Sequence, residues 1–576
     1  MSSRMPTWTV IATLATATLV ACGGDDTPAP IQSKVATPAP VPSPQITAAS
    51  EQEVFDKVAP ADKLLDDANI YDTRYDGSIA LTKINEDSSV KRHTITIDNK
   101  VLPYVARAGH LIAYHGDGTG KKPEAAIFYT AYTRDALPKE NRPVTFLWNG
   151  GPGSSSIWLH LGSWGPKRLK SDAPNMADPT KRPDSFPFED NAVSLLDQSD
   201  IVFVDPPGTG YSTAIAPLTN TDLRGTDIDA QVVADFITSY INKYNRQSSP
   251  KYLYGESYGG IRTPIVANLL EQAGTSGYAP DPSGKPAKVL AGFILNSPIL
   301  DYSSPCDSTR GETSCAGFIP SYAMAADYFK KSSKRGAQSQ EQYLAELRTL
   351  ARKTFQPIYD SYFKHGKPTE AWNSFASSAQ GQTVINTLAD YTGIPASSLQ
   401  GRNFNMGPAS FQSQLVSGYQ LGRYDARMKV PNGNGFDADD YIDVAFLNQL
   451  KTYFPDFVNY KSRSRYKASG ETTYPWKWQR AGSDSDNPES ITDIQAVLTA
   501  NPDAKLLILH GYEDIATPGF QTELELEGVH LGDRIPVKWF EGGHMIYNTE
   551  SSRAPLKQVI GDYFQSPARI ANGALL

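Results

Sequence analysis

Three kinds of residue pattern are scarce in this chain, and each shortage removes a class of protein. Three cysteines among 576 residues are far too few for a disulfide-built scaffold. None sits in a second CxxC or beside a His pair, so no familiar metal pattern is present and no cofactor is expected. Lys and Arg total 54 against 62 acidic residues, giving a net charge of -8. No Lys/Arg block interrupts that balance, which argues against a nucleic-acid surface. After the first 22 residues no apolar run approaches the ~20 residues a membrane helix needs. There is no internal repeat. What remains is an ordinary globular composition, 40% hydrophobic and 10% aromatic, long enough for several domains or for one elaborated α/β domain with an insertion.

The N-terminus reads MSSRMPTWTVIATLATATLVAC. One Arg precedes an apolar stretch too short to span a bilayer, and small residues lead to Cys22, so 1–22 is expected to be a secretory leader. Leu19-Val20-Ala21-Cys22 resembles the lipobox of bacterial lipoproteins, which implies a lipid anchor at Cys22 and an exported body facing the periplasm or the cell exterior. Residues 23–50, rich in Pro, Ala, Ser and Thr, are expected to be a tether. In an exported chain the nearby Cys306 and Cys315 are expected to form a disulfide closing a small loop.

From about residue 100 the chain shows short runs of apolar, β-branched and aromatic residues that end in Gly-rich turns: 125–133, 144–155, 200–212, 252–260, 289–300, 505–514 and 537–544. They are near-continuously apolar, as strands buried on both faces of a mostly parallel sheet are. Helix-like stretches such as 228–244 lie between several of them, which predicts an α/β class with its chemistry at the C-terminal ends of the strands. Between 301 and 490 helical segments dominate, predicting a mainly helical cap inserted between a first core part (51–300) and a second (491–576).

Gly255-Glu256-Ser257-Tyr258-Gly259 follows a strand and precedes a helix, the context in which GxSxG marks a nucleophile. Any Cβ at 255 or 259 is expected to clash in so sharp a turn. A serine hydroxyl needs an adjacent base, and in this chain order an acid and then a histidine follow the serine. Of eight histidines, His544 sits just past a strand, after Gly542 and Gly543, which would let its loop approach the serine. His530 lies in what reads as a surface connection. Asp514 ends the strand KLLILHGYED; Glu513 beside it is the competing acid and reads better as an exposed charged turn.

Assembled in order, these segments resemble the serine carboxypeptidase family. Asn149-Gly150-Gly151-Pro152-Gly153-Ser154-Ser155-Ser156 is similar to its NGGPGxSS loop, Asp205 through Ser212 to its D-x-P-x-G-T-G-Y-S segment, Glu256 through Gly260 to its ESYGG nucleophile, and Gly543-His544-Met545 to its histidine loop. The resemblance implies an α/β-hydrolase fold, release of C-terminal residues from peptides through an acyl-enzyme on Ser257, and Asp514, not Glu513, as the acid. It further implies that the Gly151 and Tyr258 N–H groups hold the oxyanion and that Asn149, Gly150 and Glu256 bind the substrate carboxylate, which requires a shared proton between the two carboxyl groups. The chain departs from the pattern at Ser163, where the family carries a second carboxylate-binding glutamate, at Ser154 in place of a cysteine, and in GYED in place of GDxD. An acyltransferase or esterase could use the same triad, and a non-catalytic binding lipoprotein could use the same scaffold.

Overall fold

The computed structural model describes residues 48–116, 120–401, 404–470 and 475–566. The leader, Cys22 and nearly all of the tether lie outside them. Residues 48–50 already belong to the helix Ala48–Val58.

One sheet of ten strands organises the body. In chain order they are β1 (Lys91–Ile97), β2 (Lys100–Gly116), β3 (Lys121–Thr133), β4 (Val144–Trp148), β5 (Asp200–Val204), β6 (Thr213–Ala214), β7 (Lys251–Glu256), β8 (Gly292–Asn296), β9 (Lys505–Gly511) and β10 (Val537–Phe540). Their spatial order is β10-β9-β8-β7-β4-β5-β3-β2-β1, with β6 paired to β3. From β10 to β5 every pairing is parallel. Strands β3, β2 and β1 close that edge as an antiparallel meander.

The apolar run at 125–133 is therefore a buried strand, but an antiparallel one. Ala125 through Ala131 are buried, so the run reported burial on both faces and carried no information on direction. Strands β4, β7 and β8 are buried at every residue, as central strands covered on both sides must be.

Two apolar layers cover the sheet. On one side the helices Thr226–Tyr244, Gly259–Ala273 and Ile491–Ala500 place Val232, Phe236, Ile261, Ile265, Ile494 and Val497 against Phe146, Leu253 and Phe293. On the other, Leu159, Trp164, Leu556 and Ile560 meet Leu147, Tyr254 and Leu507. Together they carry the α/β-hydrolase architecture.

The insertion is not one body. Its first part, including the helices Ile319–Tyr328, Gln340–Leu350 and Ala379–Thr392, builds a second core around Phe318, Tyr322, Leu347, Phe355, Trp372 and Phe411, closed by Tyr512, Ile515 and Phe520 from beyond the insertion. Its second part returns to the sheet: Val430, Tyr441, Phe446, Tyr453 and Tyr460 join the layer of Trp164 and Tyr254, and Tyr460–Ser462 pairs with Leu65–Asp67. Cys306 and Cys315 are disulfide-bonded, with Cα atoms 5.1 Å apart, at the entry to the first part.

Candidate active site

Ser257 follows the central strand β7 with φ 62°, a left-handed conformation that costs a non-glycine residue on the order of 1–3 kcal/mol. The surrounding backbone enforces it. The Ser257 N–H donates to the Asn296 carbonyl at 3.0 Å, and the Ser257 carbonyl accepts from Gly260 at 2.8 Å and Ile299 at 3.2 Å. A Cβ on Gly255 would stand 2.0 Å from Thr263 Oγ1, and one on Gly260 would stand 2.3 Å from the Ile299 carbonyl oxygen.

Gly259 does not meet the expectation placed on it. A Cβ there would find nothing nearer than Trp148 at 3.7 Å, an ordinary contact, because the helix has already turned away. The crowded second glycine is Gly260. Opposite the turn, a Cβ on Gly150 would lie 2.4 Å from the Tyr258 nitrogen, so the 149–151 loop reaches the serine turn only because residue 150 lacks a side chain. Gly151 has φ 101°, so its requirement is conformational. Neither the Gly151 nor the Tyr258 N–H donates a hydrogen bond within the described residues.

The acid and the histidine come from the ends of β9 and β10. Asp514 is fully buried. Its Oδ1 accepts the Ala516 N–H at 2.8 Å and the Thr517 N–H at 3.1 Å, which fixes the carboxylate. Its Oδ2 lies 2.9 Å from His544 Nδ1. The Thr517 hydroxyl, 3.0 Å from His544 Nδ1, also bonds Asp514 Oδ2 at 2.9 Å and the Ser297 carbonyl at 2.7 Å. With Nδ1–H held by Asp514, the acceptor nitrogen is Nε2. Burial disfavours the charged ring, but the Asp514 carboxylate outweighs it, aided by Glu256 and Asp439, and holds the His544 pKa above the usual histidine value.

Ser257 and His544 line the same pocket. No hydrogen bond joins the Ser257 hydroxyl to the imidazole among the described residues, and such pairs commonly tighten only once substrate is bound.

The histidine loop is clamped from the cap and from β8, not laid against the serine by its glycines. The His544 N–H donates to the Tyr424 carbonyl at 2.6 Å, and its ring stacks on Tyr424 with centroids 4.9 Å apart. Its carbonyl accepts Ser297 Oγ at 2.8 Å and Asn296 Nδ2 at 3.1 Å. A Cβ on Gly543 would meet the Tyr424 carbonyl oxygen at 2.2 Å; the glycine makes room for the cap.

Glu513 is also not the exposed turn residue its sequence context suggested. It is 3% exposed, accepts the Gly542 N–H at 3.0 Å and lies 3.7 Å from Arg427. Burial pushes its carboxyl up to about 7 against the pull of Arg427. It ties down the base of the histidine loop. His530 is exposed and lines no part of the pocket.

Glu256 is 3% exposed. Asn149 Nδ2 donates to its Oε1 at 2.6 Å and Asn296 Nδ2 to its Oε2 at 3.0 Å. Burial pushes this carboxyl up to about 7, against His544, Tyr547 and Asn149, which favour its charge. Asn149 is held from beneath: its carbonyl accepts Arg262 Nη1 at 2.7 Å, and the fully buried Arg262 pairs with Asp229 at 2.5 Å. Ser163 is buried and turned away, its hydroxyl donating to the Leu159 carbonyl at 2.5 Å, and it does not line the pocket.

Several of these groups escaped the sequence reading. Asn296 and Ser297 end a buried strand, where polar residues are informative, and Thr517 lies three residues past the acid; both signals were legible. Arg262 stands alone in an apolar helix, which marks a buried ion pair. Tyr424 and Asp439 belong to the insertion and carry no local signal.

A central parallel sheet with a strained serine after one middle strand, and an acid and a histidine after the two strands at one edge, defines an α/β-hydrolase. The model of the family described as "Serine carboxypeptidase" matches residues 102–387. Among curated relatives, Serine carboxypeptidase-like 1 of Arabidopsis thaliana is 22% identical over 64% of this chain and 86% of its own length. Serine carboxypeptidase-like 16 of the same plant is 28% identical over 39% of this chain, which spans 47% of that relative, or about half its length. Among solved structures, Kex1(delta)p, a prohormone-processing carboxypeptidase from Saccharomyces cerevisiae, aligns over 80% of this chain and 91% of its own at 16% identity, with a TM-score of 0.46.

Proposed function

We propose that the protein is a serine-type carboxypeptidase that releases C-terminal residues from peptides. The observation that carries this reading is a single pocket lined by Ser257, His544, Asn149, Gly150 and Glu256, with Asp514 bonded to the far nitrogen of the imidazole. Ser257 Oγ attacks the last peptide carbonyl while His544 Nε2 takes its proton. The Gly151 and Tyr258 N–H groups receive the oxyanion, a contribution of several kcal/mol at about 3 kcal/mol per donor. His544 then returns the proton to the departing amine, and a water activated by the same nitrogen hydrolyses the acyl-serine. The leaving residue's carboxylate binds the Asn149 amide, the Gly150 loop and protonated Glu256.

A fluorophosphonate probe should label the wild type and not Ser257→Ala, and peptides with free C-termini should be cleaved while their amides are not. Equal cleavage of free and amidated peptides would overturn the carboxypeptidase reading in favour of an esterase or acyltransferase. The observation that favours this second reading is Ser163, which supplies no second carboxylate to the clamp.

The same reading takes the protein as exported and lipid-anchored at Cys22, on the strength of the Leu19–Cys22 motif and the Pro-rich stretch after it. Incorporation of labelled palmitate, abolished by Cys22→Ser, is the expected result. Retention of label in that variant would remove the anchor.

A further inference from the structure

The two N–H groups assigned to the oxyanion stand on separate segments, and neither segment fixes its own direction. Gly151 follows Gly150, so two successive residues of the loop lack the side chains that restrict a backbone. Sheet pairing does not reach them either, because the ladders of β4 end at Trp148 with β7 and at Leu147 with β5. The Asn149 carbonyl lies just past both ladders. Tyr258 carries the second donor and sits between the strained Ser257 and the helix Gly259–Ala273.

One residue meets both segments. Arg262 Nη1 donates to the Asn149 carbonyl at 2.7 Å, one peptide unit before the one that carries the Gly151 N–H. The same guanidinium lies 5.1 Å from the centroid of the Tyr258 ring, and the Arg262 backbone N–H donates to the Tyr258 carbonyl at 3.1 Å. The Tyr258 ring is fully buried, with Trp476 and Trp478 edge-on to it at 5.7 and 6.1 Å.

Asp229, from the helix Thr226–Tyr244, aims this guanidinium. Its two oxygens accept Arg262 Nε at 2.5 Å and Nη2 at 3.2 Å. Two such bonds fix the plane of the fork, and the direction of Nη1 is fixed with it. Both side chains are fully buried. A buried ion pair is often no more stable than two apolar side chains of similar size, because both charges give up their water. Stability therefore does not explain an arginine in the otherwise apolar first turns of Gly259–Ala273. What an apolar pair could not supply is a donor for the Asn149 carbonyl.

We propose, on the acyl-enzyme chemistry assigned to Ser257 and independently of any preference for a free C-terminus, that Arg262, aimed by Asp229, is a positioning residue for the oxyanion hole. It holds the Asn149–Gly151 loop and Tyr258 so that their two N–H groups converge on the reacting carbonyl. Asp229 neutralises the guanidinium, so its action is directional and not one of net charge. It belongs to the transition state and not to substrate binding.

The test uses an acyl nitrophenyl ester, which has no free carboxylate, with active sites counted by fluorophosphonate labelling taken to completion. Arg262→Met with Asp229→Leu removes the pair without leaving either charge unpaired. Arg262→Lys keeps a charge beside Asp229 but cannot form the bidentate pair and reach Asn149 at once. Both variants should keep a melting temperature close to the wild type. Their kcat per labelled site should fall by about tenfold to a hundredfold, part of the roughly 10²–10³ that a lost oxyanion donor costs. KM should stay within about twofold of the wild type. A pair that served stability alone would change the melting temperature and the number of labelled sites, but not kcat per site. A kcat within about twofold of the wild type in the double variant (or in Arg262→Lys should the double variant be insoluble), or a loss carried by KM alone, would overturn the role of Arg262 and leave the acyl-enzyme reading standing. A wild type that neither labels nor turns over the ester would overturn both.

Discussion

At the scale of single residues, the site is a set of carboxyl groups in different surroundings. Asp514 accepts the Ala516 and Thr517 N–H groups on one oxygen and meets His544 Nδ1 with the other. Glu256, one residue before the nucleophile, is bonded by the Asn149 and Asn296 amides, and burial pushes it up to about 7 against the pull of His544. Its proton is present below that value and lost above it. A substrate carboxylate can share the proton, so binding should weaken as pH rises through about 7. His544 must be neutral to act as base, so kcat should fall on the acid side instead. The expected outcome is a KM for free-C-terminal peptides that climbs through pH 7 in the wild type and stays flat in Glu256→Gln. Ester substrates without a carboxylate should show no climb in either protein. A KM in the wild type that is constant from pH 6 to 8 would remove Glu256 from carboxylate binding.

At the scale of elements, the turn from β7 into the helix Gly259–Ala273 decides where Ser257 points, and its glycines are not equivalent. Gly255 has Thr263 Oγ1 2.0 Å from where a methyl would go, whereas Gly259 has 3.7 Å of clearance. Gly255→Ala should therefore lower stability by about 1–3 kcal/mol, the usual result of overpacking, and abolish probe labelling. Gly259→Ala, at a helical position where alanine is favoured by about 1 kcal/mol, should fold with an equal or higher melting temperature and still label. Urea titration and probe labelling of the two variants side by side provide the check. The motif GxSxG showed that such a turn exists, but it could not show which glycine is crowded. That depends on Thr263 and on the Pro298–Ile299 segment, which other elements bring in.

The histidine loop behaves in the same way. Its glycines were readable as a loop that approaches something closely. Gly543 approaches the Tyr424–Asp425 backbone of the insertion, more than 100 residues earlier in the chain, whereas Gly542 faces Ile546 and Thr549 just after it. Glu513 reads from its neighbours as an acid in a turn, and it is buried because Arg427, also from the insertion, stands beside it.

At the scale of the whole molecule, buried ionisable groups set the dependence of stability on pH. Burial pushes Glu525 up to about 8, and Glu256 and Glu513 up to about 7. A carboxyl whose folded pKa is raised contributes stability that is complete below its unfolded value and lost as pH rises through the folded one. The buried His110, His160 and His510 are pushed down to about 4, 3 and 4. Their folded states resist protonation, so they add stability as pH rises toward 6.5 and nothing beyond it. Below pH 6.5 the two sets oppose each other; between about 6.5 and 8 the carboxyls act in the same direction as His544, whose pKa is held above the usual value, and are opposed by Lys251, which burial pushes down to about 7. The melting temperature should therefore fall from pH 6.5 to 8, and Glu525→Gln should make that fall shallower. A melting temperature that rises across this interval would contradict the assignment.

The sequence by itself determined the parts whose signals are local. Continuous apolar runs announced buried strands, a strand–Gly-rich turn–helix passage announced Ser257, and the order serine, acid, histidine followed from the positions of the runs. Spacing along the chain is sufficient there, because each signal depends on neighbours a few residues away. Tertiary structure alone decided the direction of β3, the division of the insertion between the second core and the face of the sheet, the burial of Glu513, and the meeting of Arg262 with the Asn149 carbonyl. Those depend on which distant segments share a volume, and pairing, burial and electrostatic attraction act through space and leave no periodicity in the sequence.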